Sequence, residues 1–121
     1  MGVKMRNFRD IHVWEKGHAL TLAIYQATKE FPNNERFGLT SQMRRASASI
    51  PTNIAEGSGR QGETELARFM QISMGSASEL EYLLLLAYDL DLLNQEEYRQ
   101  LNIQTLEVKK MLASFIKKLR S

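Results

Sequence analysis

The arginines and lysines are the side chains here whose spacing most suggests chemistry, and it points to contact with anions. Arg44 and Arg45 are adjacent, so on a helix they project about 100° apart. Guanidinium forks suit phosphate oxygens and carboxylates alike. Arg60 stands within Gly57-Ser58-Gly59-Arg60-Gln61-Gly62, a letter-for-letter match to G-x-G-x-x-G. Lys109, Lys110, Lys117 and Lys118 all follow the last acid, Glu107. The functional reading of Arg44, Arg45, Arg60, Lys109, Lys110, Lys117 and Lys118 is contact with nucleic-acid backbone. The structural reading is charge pairing, with Glu56 or Glu79 as partner to the paired arginines. The terminal lysines would then only favour the negative end of a helix dipole.

Other chemical patterns fail on context. A dinucleotide fingerprint needs a preceding strand and a βαβ unit, and no convincing strand period occurs. What survives at the glycines is one phosphate held by backbone amides and Arg60 before a helix, set against a flexible interhelical loop. Ser114-Phe115-Ile116-Lys117 matches S-x-x-K without its companion motifs. His12 and His18 are six residues apart, about 240° round a helix, and cannot share a metal. With no cysteine, disulfides and thiolate metal sites are excluded. The sequence implies no enzyme, no cofactor and no metal.

Four helices must position these groups. The first is expected over about residues 10–31, where Val13, Gly17, Leu20, Ile24, Ala27 and Phe31 form one stripe before Pro32-Asn33-Asn34. The second, over about 35–56, has the stripe Leu39, Met43, Ala46, Ile50 and Ile54 with Pro51 inside it. A helix-interior proline loses a donor and collides with the carbonyl four residues back, at Ser47, a penalty of about 3 kcal/mol. Ser47, Ser49 and Asn53 are the polar groups expected to satisfy that carbonyl, and Asn53 and Glu56 could cap the following loop. The third helix is expected over about 63–93, and the fourth opens on a capping box of Asn94 and Glu97. The result is an all-α, up-down antiparallel four-helix bundle. It occupies residues 1–121 as one domain, with 1–9 a flexible basic segment.

Gln42-Met43-Arg44-Arg45-Ala46 and Ser49-Ile50-Pro51-Thr52-Asn53-Ile54-Ala55-Glu56-Gly57 resemble the signature of the bacterial four-helix bundle proteins, also called the 23S ribosomal RNA intervening-sequence protein family. Val13-Trp14, Ile24-Tyr25, Phe31-Pro32, Glu35, Gly38-Leu39, Gly75-Ser76 and Glu79-Leu80 extend the likeness over about residues 8–119. Within it, Ser49, Pro51, Asn53, Glu56 and Gly57 form the central structural motif. The resemblance implies a ring-like homopentamer around a central channel. Relatives include the accessory variability determinants of diversity-generating retroelements, which bind nucleic acid and a reverse transcriptase.

Charge and apolar patterning bear on partners. The net charge is only +2, yet its distribution is uneven: Lys4, Arg6 and Arg9 precede the first acid, whereas Glu79, Glu81, Asp89, Asp91, Glu96 and Glu97 cluster. Leu83-Leu84-Leu85-Leu86 goes most of the way round a helix, and Trp14, Leu22 and Tyr25 lie beside the first stripe. Ser41, Ala48, Thr52 and Ala55 would let another helix approach the second closely. Such surplus faces mark a self-associating protein. No apolar run spans a membrane and no signal peptide is evident, so a cytoplasmic location is expected. The leading reading is a non-enzymatic, oligomeric nucleic-acid-binding or scaffold protein. It would engage RNA, DNA or an RNA–protein complex through backbone contacts. The alternative is an adaptor that binds a protein such as a polymerase without touching nucleic acid.

Overall fold

The computed structural model describes residues 6–121. Its helices are α1 (His12–Thr28), α2 (Leu39–Ser58), α3 (Glu63–Asp89) and α4 (Gln95–Arg120), with single 3-10 turns at Phe8–Asp10 and Asn33–Glu35. No strand occurs among the described residues. α1 packs against α2 and α4, and α3 packs against the same two. Helices consecutive in the chain are therefore neighbours, and α1 and α3 occupy opposite corners. This is the four-helix bundle that the periodicity predicts.

The stripes form the core because their spacing keeps one face of each helix inward. Leu20 and Ile24 of α1, Met43, Ile50 and Ile54 of α2, Leu66, Met70, Leu80 and Leu84 of α3, and Val108 and Leu112 of α4 are all buried. Phe31 is buried too, although it lies beyond the end of α1.

Helix ends differ from the sequence expectation where local chemistry intervenes. α2 starts four residues late because Glu35 sits in a 3-10 turn and its carboxylate accepts the Leu39 amide at 3.1 Å. α3 spans about 40 Å and stops at Asp89, short of Leu93. Its closure is a Schellman motif: the Leu92 amide donates to the Ala87 carbonyl, the Asp91 amide donates to that of Tyr88, and Asp91 takes φ 62°. The capping box at α4 is complete, with Asn94 Oδ1 accepting the Glu97 amide at 2.8 Å and Glu97 Oε1 accepting that of Asn94 at 2.9 Å.

Of the basic N-terminal segment, residues 1–5 lie outside the described residues. From there on the chain touches the bundle. Arg6 pairs with Glu63 at 3.2 Å, the Phe8 ring meets Trp14 edge-on, and Trp14 stacks on His18.

Candidate functional site

Pro51 sits inside α2 and is buried. The carbonyl it orphans belongs to Ser47, itself fully buried. Its acceptor duty is met from another helix: the Thr21 hydroxyl of α1 lies 2.9 Å from the Ser47 oxygen. The same hydroxyl lies 2.9 Å from the Gly17 carbonyl, so the two oxygens share one donor. The serines and asparagine expected to do this are occupied elsewhere. Ser47 donates to the Arg44 carbonyl at 3.0 Å, and Asn53 donates to the Ser49 carbonyl and hydroxyl. Ser76 and Ser73 of α3 complete the stitching: Ser76 bonds the Ser49 hydroxyl and Ser73 donates to the Ile50 carbonyl, both at 2.8 Å.

Backbone proximity makes this possible. A Cβ on Gly17 would lie 3.1 Å from Ile50 Cγ2, and one on Gly57 only 2.7 Å from Phe69 Cβ. Hence α1 meets α2 closely beside the proline, and α2 meets α3 closely at its end. One hydrogen bond restores about 1 kcal/mol of the roughly 3 that the proline costs. Burial of the proline ring beside Gly17 offsets more. Ser49, Pro51, Asn53 and Gly57 thus shape the packing of three helices, while Glu56 pairs with Arg60 at 3.0 Å.

The two adjacent arginines have different fates. Arg44 reaches to the end of α1: Nε donates to the Thr28 hydroxyl at 2.8 Å, Nη2 donates to the Tyr25 carbonyl at 3.3 Å, and the guanidinium lies 4.7 Å from the Tyr25 ring centroid. A cation suits the negative end of a helix. No carboxylate is its partner among the described residues, in contrast to the ion pair with Glu56 or Glu79. Arg45 is exposed and lines a shallow groove of about 590 Å³ between α2 and α3, with Ser49, Thr52, Ser76 and Glu79.

Arg60 is held back by Glu56 and by the Phe69 ring, 5.1 Å away. The glycine-rich stretch begins in the last turn of α2, which runs to Ser58, and its other four residues, 59–62, form the interhelical loop. Close by, Arg68 hydrogen-bonds Glu65 at 3.1 and 3.2 Å and holds that carboxyl below the usual carboxylate range.

On α4, Lys109 pairs with Glu81 of α3 at 2.7 Å and is half-buried. Lys110, Lys117 and Lys118 are exposed, with no ion-pair partner among the described residues. The seven basic candidates therefore do not converge on one site: Arg44, Arg60 and Lys109 serve the bundle, while Arg45 and three lysines face outward. Reading the sequence missed Thr21. The usable signal was a hydroxyl four residues after Gly17 in the α1 stripe, facing a helix that contains a proline.

These features define an all-helical bundle protein whose second helix carries a braced internal proline. The chain belongs to the 23S rRNA-intervening sequence protein family, whose model matches residues 9–114. Among solved structures it is similar to a protein of unknown function from the S23 ribosomal protein family of Bacteroides thetaiotaomicron VPI-5482. That likeness has a TM-score of 0.82 at 28% identity and covers 89% of this chain and 97% of the other. No curated protein matches the chain. No helix among the described residues is long and apolar enough to cross a membrane.

Proposed function

We propose that the protein is a non-enzymatic, self-associating nucleic-acid-binding or scaffold protein that engages RNA or an RNA–protein complex. The observation that carries this reading is the unpaired basic end of α4: Lys110, Lys117 and Lys118 are exposed on a helix whose last acid is Glu107. Arg45 adds an outward guanidinium on α2. Each phosphate contact is weak alone, and a ring of subunits multiplies the number made at once. Self-association is supported by uncovered apolar side chains, with Leu22 58% and Tyr82 60% exposed.

The test is fluorescence anisotropy of a labelled structured RNA across about 50 to 300 mM salt, where the slope counts displaced counterions. Wild-type protein is expected to bind with a steep slope. Replacing Lys110, Lys117 and Lys118 by Gln should weaken affinity and flatten the slope. Unchanged affinity would remove α4 from the mechanism.

The adaptor reading is supported by the apolar outer face of α4, where Ile103 and Leu106 are exposed beside Met74 of α3. A partner capture that survives nuclease and is lost on replacing Ile103 and Leu106 by Ser would favour it.

A further inference from the structure

Where α1 ends and α2 begins, Thr28, Lys29, Asn33, Arg36, Thr40 and Arg44 line a concavity of about 310 Å³. Three of these are cations, and none has a carboxylate within ion-pair distance among the described residues. Two acids adjoin these cations in the chain: Glu35 is engaged at the Leu39 amide, and Glu30, next to Lys29, forms no ion pair with them, so two negative charges stand against three positive ones. Arg44 is already fixed by Thr28 and Tyr25, which leaves a rigid guanidinium with N–H donors to spare.

An independent feature lies in the wall. Thr40 is only 8% exposed, and its buried hydroxyl has no hydrogen-bond partner among the described residues. A buried hydroxyl left unpaired is costly and uncommon in folded proteins. Thr40 also stands in the first turn of α2, whose positive dipole end favours an anion. Beside Arg36 in sequence, Phe37 is 90% exposed, with the Arg36 guanidinium 5.4 Å from its ring centroid. An aromatic ring so open to solvent is a platform on which a nucleobase can stack.

We propose that this cleft binds the phosphate group of a nucleotide through Lys29, Arg36, Thr40 and Arg44, with the adjoining base against Phe37. A phosphate group has enough acceptor oxygens to take several N–H donors and a hydroxyl together. The proposal shares no residue with the nucleic-acid reading above, which rests on Arg45 and the lysines of α4.

The test uses full-length protein titrated with inorganic phosphate, and separately with AMP, at ionic strength held constant with chloride. Backbone amide shifts follow binding. Saturable shifts at Arg36 and Thr40 are expected with both ligands. Base stacking should make AMP tighter by about tenfold or more. Arg36→Gln and Thr40→Val should each weaken both ligands by about tenfold, and Phe37→Ala should remove the advantage of AMP while sparing phosphate. Thr40→Val also guards against a folding artefact. It deletes an unpaired hydroxyl at nearly constant shape, so its ligand-free melting temperature should equal or exceed that of the wild type. Absence of saturable shifts, or affinities unchanged in Arg36→Gln and Thr40→Val, would overturn the cleft. Equal affinity of wild-type protein for AMP and phosphate would overturn the base contact. A 5′-phosphorylated oligoribonucleotide that binds tighter than AMP assigns an RNA end as the source, and the reverse order assigns a free nucleotide. Retention of the AMP response in the Lys110, Lys117 and Lys118 variant separates this site from the basic end of α4.

Discussion

The α1–α2 pair and the α3–α4 pair solve the same packing problem with different materials. Between α1 and α2, small side chains allow close approach, and the contact is fastened by Thr21 on the Ser47 carbonyl and Arg44 on the end of α1. Between α3 and α4, bulk does the work: Leu80, Leu83 and Leu84 of α3 and Leu101, Val108 and Leu112 of α4 are buried in one core, with Lys109–Glu81 at the rim. The polar pair tolerates a proline because hydrogen bonds can be rerouted between helices. The apolar pair offers no such substitute, since a lost methylene has no alternative partner.

Removing apolar bulk should therefore have the largest effect. Leu84→Ala is expected to cost about 2–5 kcal/mol in denaturant unfolding, by lost burial and a residual cavity. A cost well under that range would mean that α3 and α4 collapse onto each other and are not rigidly packed.

Next comes the hydroxyl brace. Thr21→Val keeps the shape and leaves the buried Ser47 carbonyl short of a donor, for about 1–3 kcal/mol. In a Pro51→Ala background the residue at 51 regains its N–H, so the same change should cost less. That coupling is expected at about 0.5–3 kcal/mol. Equal costs in both backgrounds would assign the Thr21 proton to the Gly17 carbonyl and make the brace irrelevant to the proline.

The rim pair should matter less. Lys109 and Glu81 keep 27% and 37% side-chain exposure, and a double-mutant cycle with Glu81→Gln and Lys109→Met should find about 0.2–1 kcal/mol. A larger coupling would bring the α3–α4 pair closer in kind to the α1–α2 pair.

Acid should produce the smallest effect, confined to the α3–α4 half. Hydrogen bonds from Arg68 and Arg99 hold the Glu65 and Glu96 carboxyls below their ordinary value of 4.5. A folded pKa below the unfolded one stabilises fully above the unfolded value, and the benefit is lost as pH falls through the folded one. Glu96 is exposed and Glu65 only partly covered, so the Glu65→Gln, Glu96→Gln double variant should differ only slightly from wild type in the fall of melting temperature below pH 4.5. A large difference would show that these pairs are better shielded than their positions suggest.

Much of the fold was legible because helical periodicity is a local property of the chain. The stripes through Ile24, Ile50 and Val108, the proline within the second helix and the Asn94–Glu97 box all follow from spacing alone. Surplus apolar residues were legible for the same reason: of the four consecutive leucines, Leu83 and Leu84 are buried and Leu85 remains 42% exposed. The fate of each charge was not legible. Arg44 and Arg45 are adjacent and chemically identical, yet one clasps α1 and the other faces a groove, because helix rotation and neighbour distance decide which reaches a partner. The Thr21 brace, Glu35 at the Leu39 amide and the unpaired Thr40 hydroxyl arise the same way. By itself the sequence determined which residues turn inward along each helix, since that depends on a repeat of 3.6 residues. Only the tertiary structure decided which carbonyl, ring or carboxylate each polar side chain meets. Those meetings join groups as far apart in the chain as Thr21 and Ser47, whose juxtaposition depends on how whole helices pack.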